Sequence, residues 1–310
     1  MDNKNYQYFL NEKAVANYYL DLGNAEKAFE HFDNAFQTSF GESDLDLMLE
    51  LAFLHDELGN TSQAIRLFQK MIKVDPEFPT SYYGLATIYD NEENYEKAVF
   101  YYQKTLALDP AYEAAHFFLA NIYDELGEFD KALEHYEKTL ELDPDYFYAY
   151  INIGCIYEGE NNNLKAYSYF YKAYKADPIN YMALFNLGVV CRKLGQIKDA
   201  IKYYEKALVQ NKEYHNTYLN LAILYKEEYK DYEKSVELYT EGLKHNPEVS
   251  VLYYNRACVH ALLGHEHEAI EDLKVSVQLS PTLKDYMQKD EELAEVRKNP
   301  DYQRYLALDA

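Results

Sequence analysis

The chain has 310 residues and a formal net charge of −23, with 53 Asp and Glu against 30 Lys and Arg. Such a field repels phosphate backbones and anionic headgroups, so nucleic acid and membrane surfaces are excluded as general partners. No run approaches the roughly 18 apolar residues of a spanning helix.

The N-terminal stretch has no basic region followed by an apolar one, so no signal peptide is expected. Cys155, Cys191 and Cys258 form no C-x-x-C pair and are odd in number, which predicts reduced structural thiols in a cytoplasmic protein. Tyr is over-used at 35 residues and Trp is absent. A tyrosine packs its ring and keeps its hydroxyl wet, which suits thin two-layer units.

A period of 34 residues runs through the chain: Pro76, Pro110, Pro144 and Pro178 are evenly spaced, and Pro247 and Pro281 continue the series after one inserted residue. The clearest unit is Glu113–Tyr146, marked by Leu119-Ala120, Tyr123, Gly127, Ala132, Tyr136 and Pro144. Taken in order, residues 1–8 are a polar lead-in expected to fray. Eight repeats follow at 9–42, 45–78, 79–112, 113–146, 147–180, 181–214, 215–249 and 250–283. Apolar residues at i, i+3/i+4 and i+7 in each half predict two amphipathic helices per repeat. Gly in the turn permits a left-handed C-cap, and Asp-Pro ends the second helix. The sixth repeat has Lys212 in place of that Pro, and the seventh carries its extra residue in the inter-helix turn. A single hairpin cannot bury both faces, so the units must stack. Residues 284–310 break the pattern. Glu291–Lys298 is predicted as an amphipathic helix, Asn299-Pro300 as its stop and Asp301–Leu308 as a short second helix, together capping the last open face.

Large apolar, Leu-Gly/Ala, Tyr, Ala, Phe/Tyr, Ala and Pro marks in eight successive windows resemble the tetratricopeptide repeat family. The resemblance implies an all-α, right-handed superhelical solenoid with a C-terminal capping helix. It also implies that the first helix of each pair lines a concave groove that binds proteins or peptides.

Enzyme signatures are missing: there is no phosphate loop, no G-x-S-x-G and no H-E-x-x-H. No cofactor is expected, and His265-x-His267 lacks a third ligand for a metal. The sixth position of each repeat is more informative. Repeats one to four hold Ala14, Glu50, Gly84 and Phe118; repeats five to eight hold Asn152, Asn186, Asn220 and Asn255. This is similar to the asparagine ladder in the superhelical repeats of O-linked N-acetylglucosamine transferase, whose amides grip an extended peptide backbone. An Asn amide offers both donors and an acceptor, so it can pair with a peptide without reading side chains. The alternative is that these amides cap or bridge helices. Position five, including Phe185 and Tyr254, supplies either side-chain pockets or inter-helix packing. Near the end of the first helix, acidic Asp56, Glu57, Asp90, Asp124, Glu125 and Glu158 give way to Arg192, Lys193 and Lys226, which implies a bipolar groove if they face it. Asn255-Arg256-Ala257 resembles part of a chaperone-tail carboxylate clamp, but Leu219 and Ile223 stand where Lys and Asn are needed. The expectation is a non-enzymatic scaffold for an extended peptide, its partner unidentified. A peptide-sensing regulator and a non-catalytic subunit of an enzyme complex are the alternatives.

Overall fold

The computed structural model describes residues 2–305. Among these the regular structure is helical, with no strand. The chain divides into two compact units, residues 1–144 and 145–310. Unit 1 contains four hairpins: α1 (Asp2–Asp21) with α2 (Ala25–Phe36), α3 (Leu45–Glu57) with α4 (Thr61–Val74), α5 (Pro79–Asn91) with α6 (Tyr95–Leu108), and α7 (Glu113–Glu125) with α8 (Phe129–Leu142). Unit 2 contains four more: α9 (Phe147–Gly159) with α10 (Asn163–Ala176), α11 (Tyr181–Lys193) with α12 (Ile197–Gln210), α13 (His215–Leu224) with α14 (Tyr232–His245), and α15 (Ser250–Leu262) with α16 (Glu266–Leu279). The short helices α17 (Leu283–Met287) and α18 (Pro300–Tyr305) follow.

Seven of the eight hairpins bury one large ring near the middle of the second helix. Phe32, Phe68, Tyr102 and Tyr136 in unit 1, and Phe170, Tyr204 and Tyr239 in unit 2, are at most 1% exposed. Leu273 takes this place in the eighth repeat. Phe68, Phe170 and Tyr204 each seat on a glycine of a first helix. A Cβ added to Gly154 would stand 2.4 Å from the Phe170 ring, and one added to Gly188 would stand 2.5 Å from the Tyr204 ring. These glycines are therefore floors for an aromatic side chain, not flexible points.

The turns follow two rules. The first helices end on a left-handed residue, which is Gly at Gly23, Gly59, Gly127, Gly195 and Gly264. Repeats three and five use Glu93 and Asn161 instead, at φ 57° and 60°. Several of the second helices end where a side-chain carbonyl or carboxylate folds back onto the backbone. Asp75 accepts from the Glu77 N–H and Asp109 from the Ala111 N–H, both at 2.9 Å. In the sixth repeat Asn211 accepts from the Glu213 N–H at 2.8 Å, so the stop survives with Lys212 in place of Pro.

Three sequence expectations are corrected. The lead-in does not fray: residues 2–8 extend α1, and Tyr6 packs edge-on against Phe40 at 5.0 Å. The extra residue of repeat seven is absorbed before the turn. The end of its first helix widens into a π-turn over Tyr225–Tyr229, which closes on the left-handed Lys230. Glu291–Lys298 is not one helix but two 3₁₀ turns, Glu291–Leu293 and Val296–Lys298. Asp290 starts the first by accepting from the Glu292 N–H at 2.9 Å. The Arg297 guanidinium then draws in the Met287 and Asp290 carbonyls. Met287, Leu293, Val296 and Tyr302, all 1% exposed or less, bury the cap against α15 and α16. The helix expected over Asp301–Leu308 is observed as α18, and residues 306–308 lie outside the described residues.

In the fourth hairpin, His116 Nδ1 meets His135 Nδ1 at 2.9 Å, and His116 Nε2 lies 3.2 Å from the Pro110 carbonyl. A carbonyl only accepts, so Nε2 carries the His116 proton and His135 donates across the pair. Burial lowers the pKa of both rings; Lys138 lowers His116 further, and His116 lowers His135 further.

Two outcomes follow from this packing. Gly188→Ala costs about 1–3 kcal/mol through its clash with Tyr204, more than the ~1 kcal/mol of helix propensity it gains. Gly159→Ala, with no atom within 4 Å of the new Cβ, stabilises by about 0.4–1 kcal/mol. Denaturant unfolding of the two variants reads the difference. For the histidine pair, folded-state pKa values below the unfolded value mean that the unfolded chain binds more protons as pH falls below about 6.5. Stability is therefore full above that pH and declines below it. His135→Gln flattens this loss in a pH series of melting temperatures.

Candidate functional site: the first-helix wall of repeats five to eight

The sequence-predicted site lies wholly within unit 2. Asn152, Asn186, Asn220 and Asn255 sit on α9, α11, α13 and α15, and all four are half-buried. Two of them spend a donor on their own helix. Asn220 Nδ2 donates to the Asn216 carbonyl at 2.9 Å, and Asn255 Nδ2 donates to the Val251 carbonyl at 2.8 Å. Each keeps its carbonyl oxygen and a second N–H. Asn186 makes no side-chain hydrogen bond within the described residues. In unit 1 the equivalent position is filled by packing: Gly84 is buried under the Phe68 ring, and Phe118 stacks on Tyr102 at 6.4 Å.

The flanking aromatics are engaged in the fold. Phe185 packs on Tyr204 at 5.8 Å and edge-on against Tyr214 at 5.0 Å. Tyr254 donates its hydroxyl to Asp290 of the cap. Both residues thus follow the inter-helix alternative.

The expected bipolar charge is also corrected, because Arg192, Lys193 and Lys226 are each paired with a carboxylate. Lys193 pairs with Glu158, and Arg192 with Glu227 at 2.6 Å. Lys226, whose side chain is 14% exposed, holds both Glu292 oxygens at 2.9 and 3.1 Å. The first two pairs join the twelfth position of one repeat to the thirteenth of the next, 35 residues on. The eighth repeat has Leu262 at that thirteenth position, and Glu292 of the cap supplies the missing acid. A spacing of 35 between opposite charges was visible in the sequence and is the signal that reading charges by repeat alone misses.

Arg256 is structural as well. Its guanidinium forks onto Asp272 with two 2.7 Å bonds and donates to Thr240 at 2.9 Å. It is not available to clamp a peptide carboxylate. Cys258 is buried, its thiol pushed well above the ordinary range by burial and by Asp290.

Repeated helical hairpins seated on buried aromatics define a helical-repeat protein built for association. The tetratricopeptide repeat signature matches residues 46–77, 79–112, 114–146, 147–180, 181–214 and 251–283. The chain belongs to the tetratricopeptide repeat family, a class of protein-interaction scaffold. Repeats one and seven lie outside these windows but form hairpins all the same. The C-terminal part of a tetratricopeptide repeat-containing protein from Cytophaga hutchinsonii is similar in structure, with a TM-score of 0.63 and 17% identity over 77% of this chain and 98% of that one. The APC/C hetero-tetramer Cut9-Hcn1 is similar with a TM-score of 0.56 and 19% identity, over 88% of this chain and 52% of that one. Protein SGT1 homolog of Oryza sativa subsp. japonica is 37% identical over 60 residues, which is 19% of this chain and 16% of that protein. The chain thus matches less than a fifth of that curated relative. No helix among the described residues is long and apolar enough to cross a membrane.

The ion-pair rungs give a direct test. Arg192→Glu faces Glu227 with a like charge and destabilises unit 2 by up to about 1 kcal/mol. Adding Glu227→Arg restores most of that loss at low salt and little at high salt, as measured by a double-mutant cycle in urea.

Proposed function

We propose that this protein is a non-catalytic, cytoplasmic scaffold that holds an extended peptide or flexible protein segment along the first-helix wall of repeats five to seven. Asn152, Asn186 and Asn220 are the gripping residues. The observation that carries this reading is the half-buried Asn186 amide, which has no side-chain hydrogen-bond partner among the described residues although Asn is a poor residue for a helix interior. An amide in that setting gains most from a backbone C=O and N–H supplied by a ligand.

The other groups on the wall set the character of the contact. With Arg192, Lys193 and Lys226 each tied to a carboxylate, the ligand is held through its backbone and apolar side chains more than through charge. Asn255 lies in the repeat against which the cap packs, so the ladder serves a ligand from its repeat-five end.

Asn186→Ala/Asn220→Ala lowers recovery of the partner in affinity capture from the native lysate at least tenfold, while the melting temperature stays within a few degrees. Unchanged recovery from a folded double variant refutes groove gripping.

A further inference from the structure

We propose that Cys258, Asp290 and Glu292 form a binding site for one thiophilic divalent cation of the zinc class, which fastens the C-terminal cap to the eighth repeat. The Cys258 thiol comes from α15 and the two carboxylates come from the 3₁₀ turn that packs on it. One ligand atom from each residue lies within 4.8 Å of the others. Cys258 Sγ and Asp290 Oδ2 are 3.7 Å apart. Two ligands on a tetrahedral zinc, at about 2.3 Å for sulfur and about 2.0 Å for oxygen, stand about 3.5 Å apart. The ion therefore fits between them without a backbone shift.

The surroundings point the same way. Asp290 is oriented on both oxygens, by the Tyr254 hydroxyl on Oδ2 and by the Glu292 N–H on Oδ1; such outer contacts aim a ligating carboxylate. Lys226 holds both Glu292 oxygens, and a metal taking one leaves the other to the ammonium. Two carboxylates against that one ammonium leave a single uncompensated negative charge in a cluster only partly open to water. With the thiol ionised, a dication brings the cluster to neutrality.

An independent observation is Tyr239. It is fully buried, and its hydroxyl has no hydrogen-bond partner among the described residues. The Ser235 hydroxyl donates to the Ala222 carbonyl at 3.0 Å. Burial first, then Cys258 and Glu292, hold this phenol above its ordinary pKa. A water completing the metal's coordination gives this hydroxyl the partner it lacks.

The test uses the full chain with exposed Cys155 replaced by Ser, reduced and stripped of metal with chelator. Cobalt(II) is titrated as the spectroscopic probe and zinc(II) as the stabilising ion. The expected result is a thiolate-to-cobalt charge-transfer band that saturates at one equivalent, vanishes in Cys258→Ser and weakens at least tenfold in affinity in Asp290→Asn. Zinc raises the melting temperature of the parent and of neither variant. Should Cys258→Ser fail to fold, the Asp290→Asn titration decides alone. No sulfur band at one equivalent, or a band unchanged in Asp290→Asn, overturns the site.

Discussion

The array depends on seating one large side chain per hairpin, a ring in seven of the eight, against the first helices. A ring of this kind buries 150–250 Å², far more than any other contact in so thin a layer. Gly154 and Gly188 exist to let Phe170 and Tyr204 approach, since any side chain there would overlap the ring. The ring is always in the second helix and the small residue in a first helix, so the sequence must repeat in step. That requirement, not helix propensity, sets the 34-residue period. It also explains why the turns are free to vary. Left-handed caps made by Glu93 and Asn161, and a helix stop made by Asn211 without proline, all deliver the next helix to the same place.

Repeat seven shows how strictly the ring position is kept. One extra residue would rotate every later side chain by about 100° if it simply lengthened an α-helix. The insertion is instead spent in the wider turn at Tyr225–Tyr229, and Tyr239 still arrives buried. The same constraint shapes the end of the array. Alanines and Leu273 of the eighth hairpin need cover, and the cap provides it with two 3₁₀ turns and short helices. Glu292 then completes an ion-pair rung that the eighth repeat cannot complete itself.

The helical-hairpin pattern and the core were legible in the sequence because the marks that define them are steric and recur along the chain. The cap was not, because its turns are set by single contacts. Asp290 onto the Glu292 N–H and Arg297 onto two carbonyls leave no periodic trace. The asparagine register was legible, but its local chemistry was not: back-bonding of Asn220 and Asn255 to the carbonyl four residues earlier depends on rotamer, which spacing does not encode. Charge was the most misleading signal. Arg192, Lys193 and Lys226 read as a basic patch only while each repeat is considered alone.

The rungs also show where the net charge of −23 is felt. In unit 2 the twelfth and thirteenth positions alternate in sign and cancel. In unit 1 the equivalent pair is Asp90 and Glu125, both acidic. Burial raises the pKa of Asp90, and the nearby Glu125 raises it further even though the Tyr102 hydroxyl donates to the carboxylate. Asp124 is raised in the same way, by burial and then by Glu125. The rung of unit 1 thus sets acid against acid, whereas the rungs of unit 2 pair each of Arg192, Lys193 and Lys226 with a carboxylate. The two halves of one repeated architecture therefore differ in the physics of what they present, although their cores are built alike.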